Sequence, residues 1–545
     1  TIALLGSGCD SDGESASSSD QSSGSESEFH SSDNENLGGF PAKNTPEVAA
    51  YLREFTWAYL SAEEPSRTNY NSESLFLENL LLWQTDPFYG WTNKNTKENG
   101  ASYDLLKDGL KIHLTINSKM QAHAEWAVAH HMAELQDQLD SELARRSTFP
   151  ANPSQSRYID SLVIQSDRYK PMSSSGVSYT LIKEAFNTPI PMMVFDWKSP
   201  THQLDTVMSP KDSIQYALRS LQTGLISTDP QTGFIKAWVG GSNYASFSQD
   251  NLNERRQNAG SLVLPFIYGS AIQQGLVEPC STYPNVEYCF SNNDQSQNWC
   301  LGSYYGNQGS LVSIKAALAG SYNNIPLAIV NNMAGVNSTI NFLENCGIPE
   351  GSVAPTPSIL TGQFEVSLHD ITAAYCVFAN KGIYRKLQFI SRIEDGDGNI
   401  ITALVPPLVK EVMNEESAYA VIDMLTGVVD GVKSGSTVAG TGIRLRSSRP
   451  YAGFKNQIAG KTGTTQLNRD GWFIGLTPNL VTGVWVGAQI KEMSFRSLRS
   501  GQGANTALPI WGYYMNKIYA DQEFKISKDD FERPAAYYFE SNCEE

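Results

Sequence analysis

Apolar and polar positions fall into distinct blocks along the chain, and the clearest blocks lie toward its C-terminal end. Asp470-Gly471-Trp472-Phe473-Ile474-Gly475 and Val481-Thr482-Gly483-Val484-Trp485-Val486-Gly487 are short runs rich in β-branched and aromatic residues. Thr477-Pro478-Asn479 separates them, so the pair reads as an antiparallel hairpin. Asn44-Thr45-Pro46-Glu47 supplies a cap, a proline and an acid ahead of a helix running to about Leu60. A long helix is predicted from about Ser118 to Arg145, and apolar helical stretches surround Cys346 and Cys376. Asn152 to Val194 is rich in Ser and Pro and yields no assignment. Asp10 to Gly39 is Ser-, Gly- and acid-rich with almost nothing to bury, so it is expected to be disordered. Fully stretched, that tether would reach on the order of 100 Å. As a flexible coil its span is nearer roughly 30 Å.

The chain of 545 residues exceeds one ordinary core and implies two or three units. A hydrophobic content of 40 % with 10 % aromatic residues is ample for globular packing. No run of eighteen apolar residues occurs, so no segment of this sequence is expected to span a bilayer. The formal net charge of −17 argues against nucleic acid as a partner. About half of that excess is local: Asp10, Asp12, Glu14, Asp20, Glu26, Glu28, Asp33 and Glu35 all precede the first lysine, Lys43.

Ahead of the tether, Thr1-Ile2-Ala3-Leu4-Leu5-Gly6-Ser7-Gly8-Cys9 resembles the end of a lipoprotein signal peptide. Cys9 is then the lipidated residue, and the acids after it resemble a surface-export signal of some Gram-negative lipoproteins. The plainer reading makes Cys9 an ordinary free cysteine at an arbitrary fragment start. Six cysteines remain, an even set that suggests disulfides with fifteen formal connectivities. Cys289 and Cys300 flank a polar loop and form the best candidate pair, whereas Cys346 and Cys376 read equally as small buried residues. No CxxC or Cys/His spacing suggests a metal, and no cofactor is implied. His123, His130 and His131 lie on the long helix, where His123 and His130 stand about 10 Å apart by helix rise, too far to share an ion. They read as solvated helix histidines.

The chemistry is concentrated in three further segments. Gly260-Ser261-Leu262-Val263-Leu264-Pro265-Phe266-Ile267-Tyr268 resembles the nucleophile helix of penicillin-binding proteins, whose pattern is G-S-x-x-K-P-F. A serine hydroxyl is a poor nucleophile until a base takes its proton, and residues three apart on a helix share one face. Leu264 stands where that base should be and has no lone pair. Ser321-Tyr322-Asn323 resembles the family's S-x-N element, and Lys461-Thr462-Gly463-Thr464-Thr465 its KTG box. Gly109 to Asn117 with Met120-Gln121, Gly224 to Gly241, Gly501 to Asn505 and Leu508 to Trp511 match further family segments, so the resemblance covers roughly residues 44 to 534.

That resemblance to class A penicillin-binding proteins implies an α+β fold, the penicillin-binding-protein/β-lactamase-like transpeptidase fold, with an antiparallel sheet flanked by helices. Residues 44–208 would be the linker or pedestal, 209–520 the transpeptidase-like domain and 521–545 a tail that packs back or contacts a partner. Helices are expected at 261–275, 366–381 and 413–427, and the Gly- and Ser-rich insertion Gly431 to Ser448 as a loop beside the cleft. In the family's terms Ser261 would attack a D-alanyl carbonyl or a β-lactam, and backbone N–H groups of Ser261 and Thr464 would form the oxyanion hole. Lys461 and Thr462 would hold the terminal carboxylate, Ser321 would relay a proton, and Asn323 would bond the substrate backbone. Arg256-Gln257-Asn258-Ala259-Gly260 is one residue longer than the family's R-Q-P-G approach, which puts the oxyanion geometry in question.

General-base catalysis contributes about 10²–10⁴-fold, and groups acting as a unit fail together. Lys461 replaces the missing base only if it leans toward Ser321. The glycosyltransferase region of class A enzymes has no counterpart here, so glycan polymerisation is not expected. The sequence therefore implies a lipid-anchored pseudoenzyme at the outer membrane, more on the cell surface than on the periplasmic face. It would serve as a binding or scaffold subunit, with outer-membrane complex subunits or a peptidoglycan peptide as partners. The alternative is an active serine D,D-transpeptidase or carboxypeptidase with an unusual base.

Overall fold

In the computed structural model the described residues are 2–3, 49–70, 73–146, 149–290, 299–303, 308–333, 335–405, 409–434, 436–524 and 526–543. The expected helix start at Asn44, the acidic tether and Cys9 lie outside them. The helix that should follow Asn44 is present as Ala50–Leu60.

Five strands form the central antiparallel sheet: β1 (Gln222–Thr228), β2 (Ile235–Val239), β3 (Ala459–Thr464), β4 (Asp470–Leu476) and β5 (Val481–Gly487), in the order β3-β4-β5-β1-β2. The hairpin read from the sequence is β4 and β5, paired from Asp470↔Gly487 to Leu476↔Val481. Side chains alternate across a strand, and here both faces are buried. Trp472, Ile474 and Leu476 enter one core, while Phe473 enters the other with Val484 and Val486 of β5. This is why the strands read as almost unbroken apolar runs.

On one face pack α1 (Ser118–Leu143) and α5 (Ala507–Ala520). On the other lie α2 (Leu264–Gln273), α3 (Leu368–Ala379) and α4 (Glu415–Asp430). Gly483 lets α3 approach, because a Cβ there would stand 2.1 Å from the Thr372 hydroxyl. Asn117 caps α1 by accepting from the amides of Lys119 and Met120 at 3.0 and 3.1 Å. One turn later, buried Gln121 pairs with both backbone groups of Trp238 at 2.7 Å each, covering the β2 edge. The opposite edge, β3, carries the KTG residues.

Two expectations need correction. His131 is not a solvated helix residue: α1 turns it inward, with Nε2 3.1 Å from the Asn505 carbonyl. His130 stacks on Trp126 and His123 faces Asp521, so the three do not converge on an ion. The insertion from Gly431 is not a plain loop. It holds a hairpin, Val432–Ser434 with Ser436–Val438, and a 3₁₀ turn, Ile443–Arg446.

The unassigned stretch contains three short helices, Pro153–Gln165, Tyr169–Ser174 and Tyr179–Asn187, followed by the hairpin strands Ile190–Phe195 and Gln203–Met208. Upstream, Lys111–Leu114 pairs with Ile390–Glu394, so linker and transpeptidase-like region share a sheet, and Ile2–Ala3 adds an edge to it. The tail packs back. Phe531, Tyr537 and Phe539 are buried in the larger core, and Cys280–Cys543 closes a disulfide across 263 residues. Cys289–Cys300 pairs as expected, while Cys346 and Cys376 are buried thiols. Among the described residues no helix is long and apolar enough to cross a membrane.

Candidate active site

The nucleophile segment arrives on a short strand. Arg256–Asn258 pairs in unbroken register with Glu365–Ser367, and the pairing continues as Ala259 N–H to Phe364 O and Gly260 N–H to Gly362 O, both 3.1 Å. The approach to Ser261 is thus a ladder in register as far as Ala259, which shifts by one residue at Gly260. Arg256 anchors it through an ion pair of 3.2 Å to Asp370 in the first turn of α3. The helix expected from 261 begins instead as a 3₁₀ turn, Gly260–Val263, and becomes α-helical at Leu264.

Two glycines make this turn fit. Gly260 has φ +54°, and a Cβ there would lie 3.0 Å from the Thr464 carbonyl oxygen. Gly362 has φ +67°, and its Cβ would fall 2.0 Å from the Gly260 oxygen. Only glycine tolerates both the dihedral and the contact. Leu262 in turn meets Gly463, so Ser261 is held directly beside the end of β3. The buried Tyr375 hydroxyl donates to Leu262 O at 2.8 Å and fixes the turn from below.

Ser261 is partly exposed, and its hydroxyl has no hydrogen-bond partner among the described residues. Leu264 is fully buried in the main core. The place where a lysine would reach the serine is filled by packed aliphatic carbon.

The S-x-N element follows the buried helix Ile314–Gly320. Ser321 sits at φ 57°, ψ 47°, a left-handed conformation that costs a non-glycine residue roughly 1–3 kcal/mol and marks functional sites. The Ser321 and Tyr322 amides bond back to Leu318 O and Ala317 O at 3.1 and 2.8 Å and hold it. Its hydroxyl accepts a very short hydrogen bond from Lys461 Nζ. Asn323 is exposed at the cleft, whereas Asn324 is buried and donates to Asn285 and Val286. Lys315, in the first turn of the same helix, is tied to Asp423 at 2.8 Å and to the tail carbonyl of Ser541 at 2.7 Å.

Lys461 is fully buried on β3, and besides Ser321 it donates to Thr462 O at 2.9 Å. No carboxylate neutralises it among the described residues, and burial pulls its amine down to about 7. The lysine therefore does lean toward Ser321, but no contact joins it to Ser261. Thr462 donates to Thr441 Oγ1 at 2.7 Å, and Thr441 N–H bonds Ala319 O at 3.0 Å. Thr464 Oγ1 accepts from Gly503 N–H at 3.1 Å. The structure thus brings together Ser261, Leu264, Lys461, Gly463 and Thr464 along one edge, with Ser321 joined to Lys461 and Asn323 beside it.

Thr441, Tyr375 and Gly362 were not singled out from the sequence. Thr441 lies in a Gly- and Ser-rich insertion without a motif, and Tyr375 within an apolar helix, so neither carried a local signal. Gly362, in a Thr-Gly-Gln turn, carried a weak one. Glu287, Cys289 and Cys300 lie close enough to hold a metal, but the two sulfurs are bonded to each other. Cys9 lies outside the described residues.

An antiparallel sheet between two helical layers, with a serine turn, an S-x-N corner and a KTG edge strand on one cleft, defines a penicillin-recognising transpeptidase fold. The penicillin binding protein transpeptidase domain model matches residues 224–507, and the penicillin-binding protein middle domain model matches 145–221. The chain belongs to the penicillin-binding protein transpeptidase family. It is similar to penicillin-binding protein 1A of Aquifex aeolicus, 31 % identical over 313 residues, covering 57 % of this chain and 40 % of that protein. With penicillin-binding protein 1A of Rickettsia prowazekii it shares 26 % over 474 residues, 78 % of this chain and 56 % of the other. The chain thus spans about half the length, or less, of these curated relatives. Among solved structures, penicillin-binding protein 1A from Haemophilus influenzae superposes with a TM-score of 0.57 at 18 % identity, covering 84 % of this chain and 71 % of the other. PonA1 from Mycobacterium tuberculosis gives 0.51 at 18 %, covering 81 % and 90 %. At that identity these two share the fold.

Proposed function

We propose that this protein is a non-catalytic member of its family, a binding or scaffold subunit whose cleft still receives a peptide carboxylate. The observation that carries the reading is the pairing of a partnerless Ser261 hydroxyl with a fully buried Leu264. An aliphatic carbon cannot accept the serine proton, and the cleft amine is committed to Ser321. Recognition groups remain: Lys461 donating to the Ser321 hydroxyl, Asn323 exposed, and the β3 edge. The ligand class is a peptide ending in D-alanyl carboxylate, the chemistry of a peptidoglycan stem. Labelling with a fluorescent penicillin tests the first half. Covalent label on Ser261 at the rate of an ordinary penicillin-binding protein refutes it. Calorimetry with a D-Ala-D-Ala peptide tests the second, for which saturable binding without product release is expected.

A second reading rests on Lys461. An amine held near 7 against Ser321 is chemically able to pass a proton through that hydroxyl, which would support slow acylation. Slow labelling that vanishes in both Lys461→Met and Ser321→Ala would favour it.

The apolar run, Cys9 and the acidic tract support lipid anchoring at the outer membrane, with the tether carrying the folded part away from the lipid, toward the cell surface and other envelope subunits. Metabolic labelling with a palmitate analogue, abolished by Cys9→Ala, tests the anchor. Protease shaving of intact cells tests the face: persistence of the folded part under protease places it inside and overturns the surface reading.

A further inference from the structure

A cavity lies away from the cleft, where the C-terminal end of α1 meets the middle region. It encloses about 380 Å³, within the range of small-ligand pockets of about 300–1,000 Å³. Its walls come from three parts of the chain: Asp140 and Arg146 near the end of α1, Asp196 and Trp197 after the first hairpin strand, and Tyr216 and Arg219 on the helix Pro210–Arg219. Met493, from the segment after β5, closes one side. Transpeptidase and middle regions therefore share the site.

Its charged lining is two carboxylates and two guanidiniums, so it selects no net charge. Many of its polar atoms are free. The Nε of Arg146, whose side chain is 9 % exposed, is buried with no acceptor, although its other nitrogens reach Glu142 and the Glu492 carbonyl. Neither the Arg219 guanidinium nor the Tyr216 hydroxyl has a hydrogen-bond partner among the described residues. Burial, with Asp196 and Asp140 nearby, raises the Tyr216 hydroxyl, so it remains a donor at every physiological pH. Asp196 accepts from Lys198 N–H at 3.1 Å through one oxygen, leaving the other able to accept within the cavity, whereas Asp140 accepts from Gln136 at 3.0 Å and from Lys198 Nζ at 3.3 Å. Phe195 and Trp197 supply apolar walls.

Free neutral and cationic donors beside a free carboxylate oxygen, no net charge in the lining and aromatic walls are the complement of a neutral polyhydroxylated ligand. A carboxylate or phosphate would meet two aspartates, and an apolar ligand would leave the buried Arg146 donor unpaired, which costs about 1–3 kcal/mol. We infer that this junction cavity is a saccharide site, sized for one or two N-acetylhexosamine units. It is independent of whether Ser261 is reactive.

The probe is N,N′-diacetylchitobiose, with saturation-transfer NMR and calorimetry on the full chain. Binding is expected in the millimolar range, weakened at least tenfold by Arg219→Ala and several-fold by Tyr216→Phe, with both variants keeping the wild-type melting temperature. Ser261→Ala should leave it unchanged, which separates this site from the cleft. Absence of binding overturns the proposal, as does binding that survives Arg219→Ala and Tyr216→Phe together. Preference for glutarate or inorganic phosphate over the disaccharide overturns it too.

Discussion

Replacing Leu264 by lysine should restore what the serine turn lacks. The position is fully buried, so the new amine enters the core beneath Ser261. Losing the packed leucine costs about 1.5–3 kcal/mol of apolar burial. Placing a charge there costs more, which the amine avoids by shedding its proton: buried lysines drop by up to about 3–5 pH units. Lys461, already pulled to about 7 by burial alone, shows how strongly this region disfavours an ammonium. A second amine nearby deepens the effect, because the described residues place no carboxylate in ion-pair range of Lys461. The new lysine is therefore largely neutral at pH 7 to 8, the state a general base requires. The expected gain is about 10²–10⁴-fold in acylation rate, equivalent to about 3–5 kcal/mol of barrier. The variant should also unfold at a lower denaturant concentration, by several kcal/mol.

The assay is the second-order rate of fluorescent-penicillin labelling from pH 6 to 9, with Ser261→Ala as the silent control in both backgrounds. Leu264→Lys should label faster as pH rises, since deprotonation creates the base. Wild-type protein labelling Ser261 as fast as the variant would refute the reasoning, because the base would then be present elsewhere. A folded variant with no gain would place the defect in the geometry of the turn instead.

Four further outcomes follow from the same structure. Affinity for a D-Ala-D-Ala peptide should fall about tenfold per pH unit above 7, because carboxylate binding needs a protonated Lys461 and the free amine loses its proton there; pH-dependent calorimetry measures this. Lys461→Met should stabilise the fold, by at most on the order of 5 kcal/mol for a drop from 10.5 to about 7. The unfolded chain binds that proton between pH 7 and 10 and the native chain does not, so wild-type stability rises with pH across this window. The advantage of Lys461→Met is thus full below pH 7 and gone near pH 10, as urea titrations at the two limits would show. Cys280→Ser with Cys543→Ser should cost about 2–5 kcal/mol and expose the tail to limited proteolysis, since the bridge closes a loop of 263 residues. Gly362→Ala should destabilise by about 2–4 kcal/mol and weaken peptide binding, because its Cβ would strike the Gly260 backbone at 2.0 Å.

What was legible in the sequence is what contiguous residues specify. The β4–β5 hairpin and the long α1 helix each rest on local pattern, and each lies where that pattern places it. The three middle helices were not, because the first and third bury only Ile159, Ile182 and Phe186 between them and the second none, so their apolar stripe is too thin for periodicity to show. Cys280 and Cys543 were among six candidates, and a pairing across 263 residues leaves no local trace. His131 falls on the buried stripe of its helix with Ala127, Val128 and Leu135, a placement its polar ring masked, and docking against Asn505 covers it.

Lys461 is the case in which sequence and structure together say more than either does alone. Its motif assigned it to a carboxylate, and a lysine in that role is ordinarily charged. The structure buries it completely, against a neutral hydroxyl. With leucine at 264, the cleft has lost an amine that would have repelled Lys461 or shared a proton with it. What remains is the Lys461 amine, poised near neutrality, which on the proposed reading a peptide carboxylate would neutralise. Such a site turns ligand binding into proton uptake. On the proposed reading, the cleft would respond to pH by changing occupancy rather than turnover, as expected of a receptor built on an enzyme's cleft.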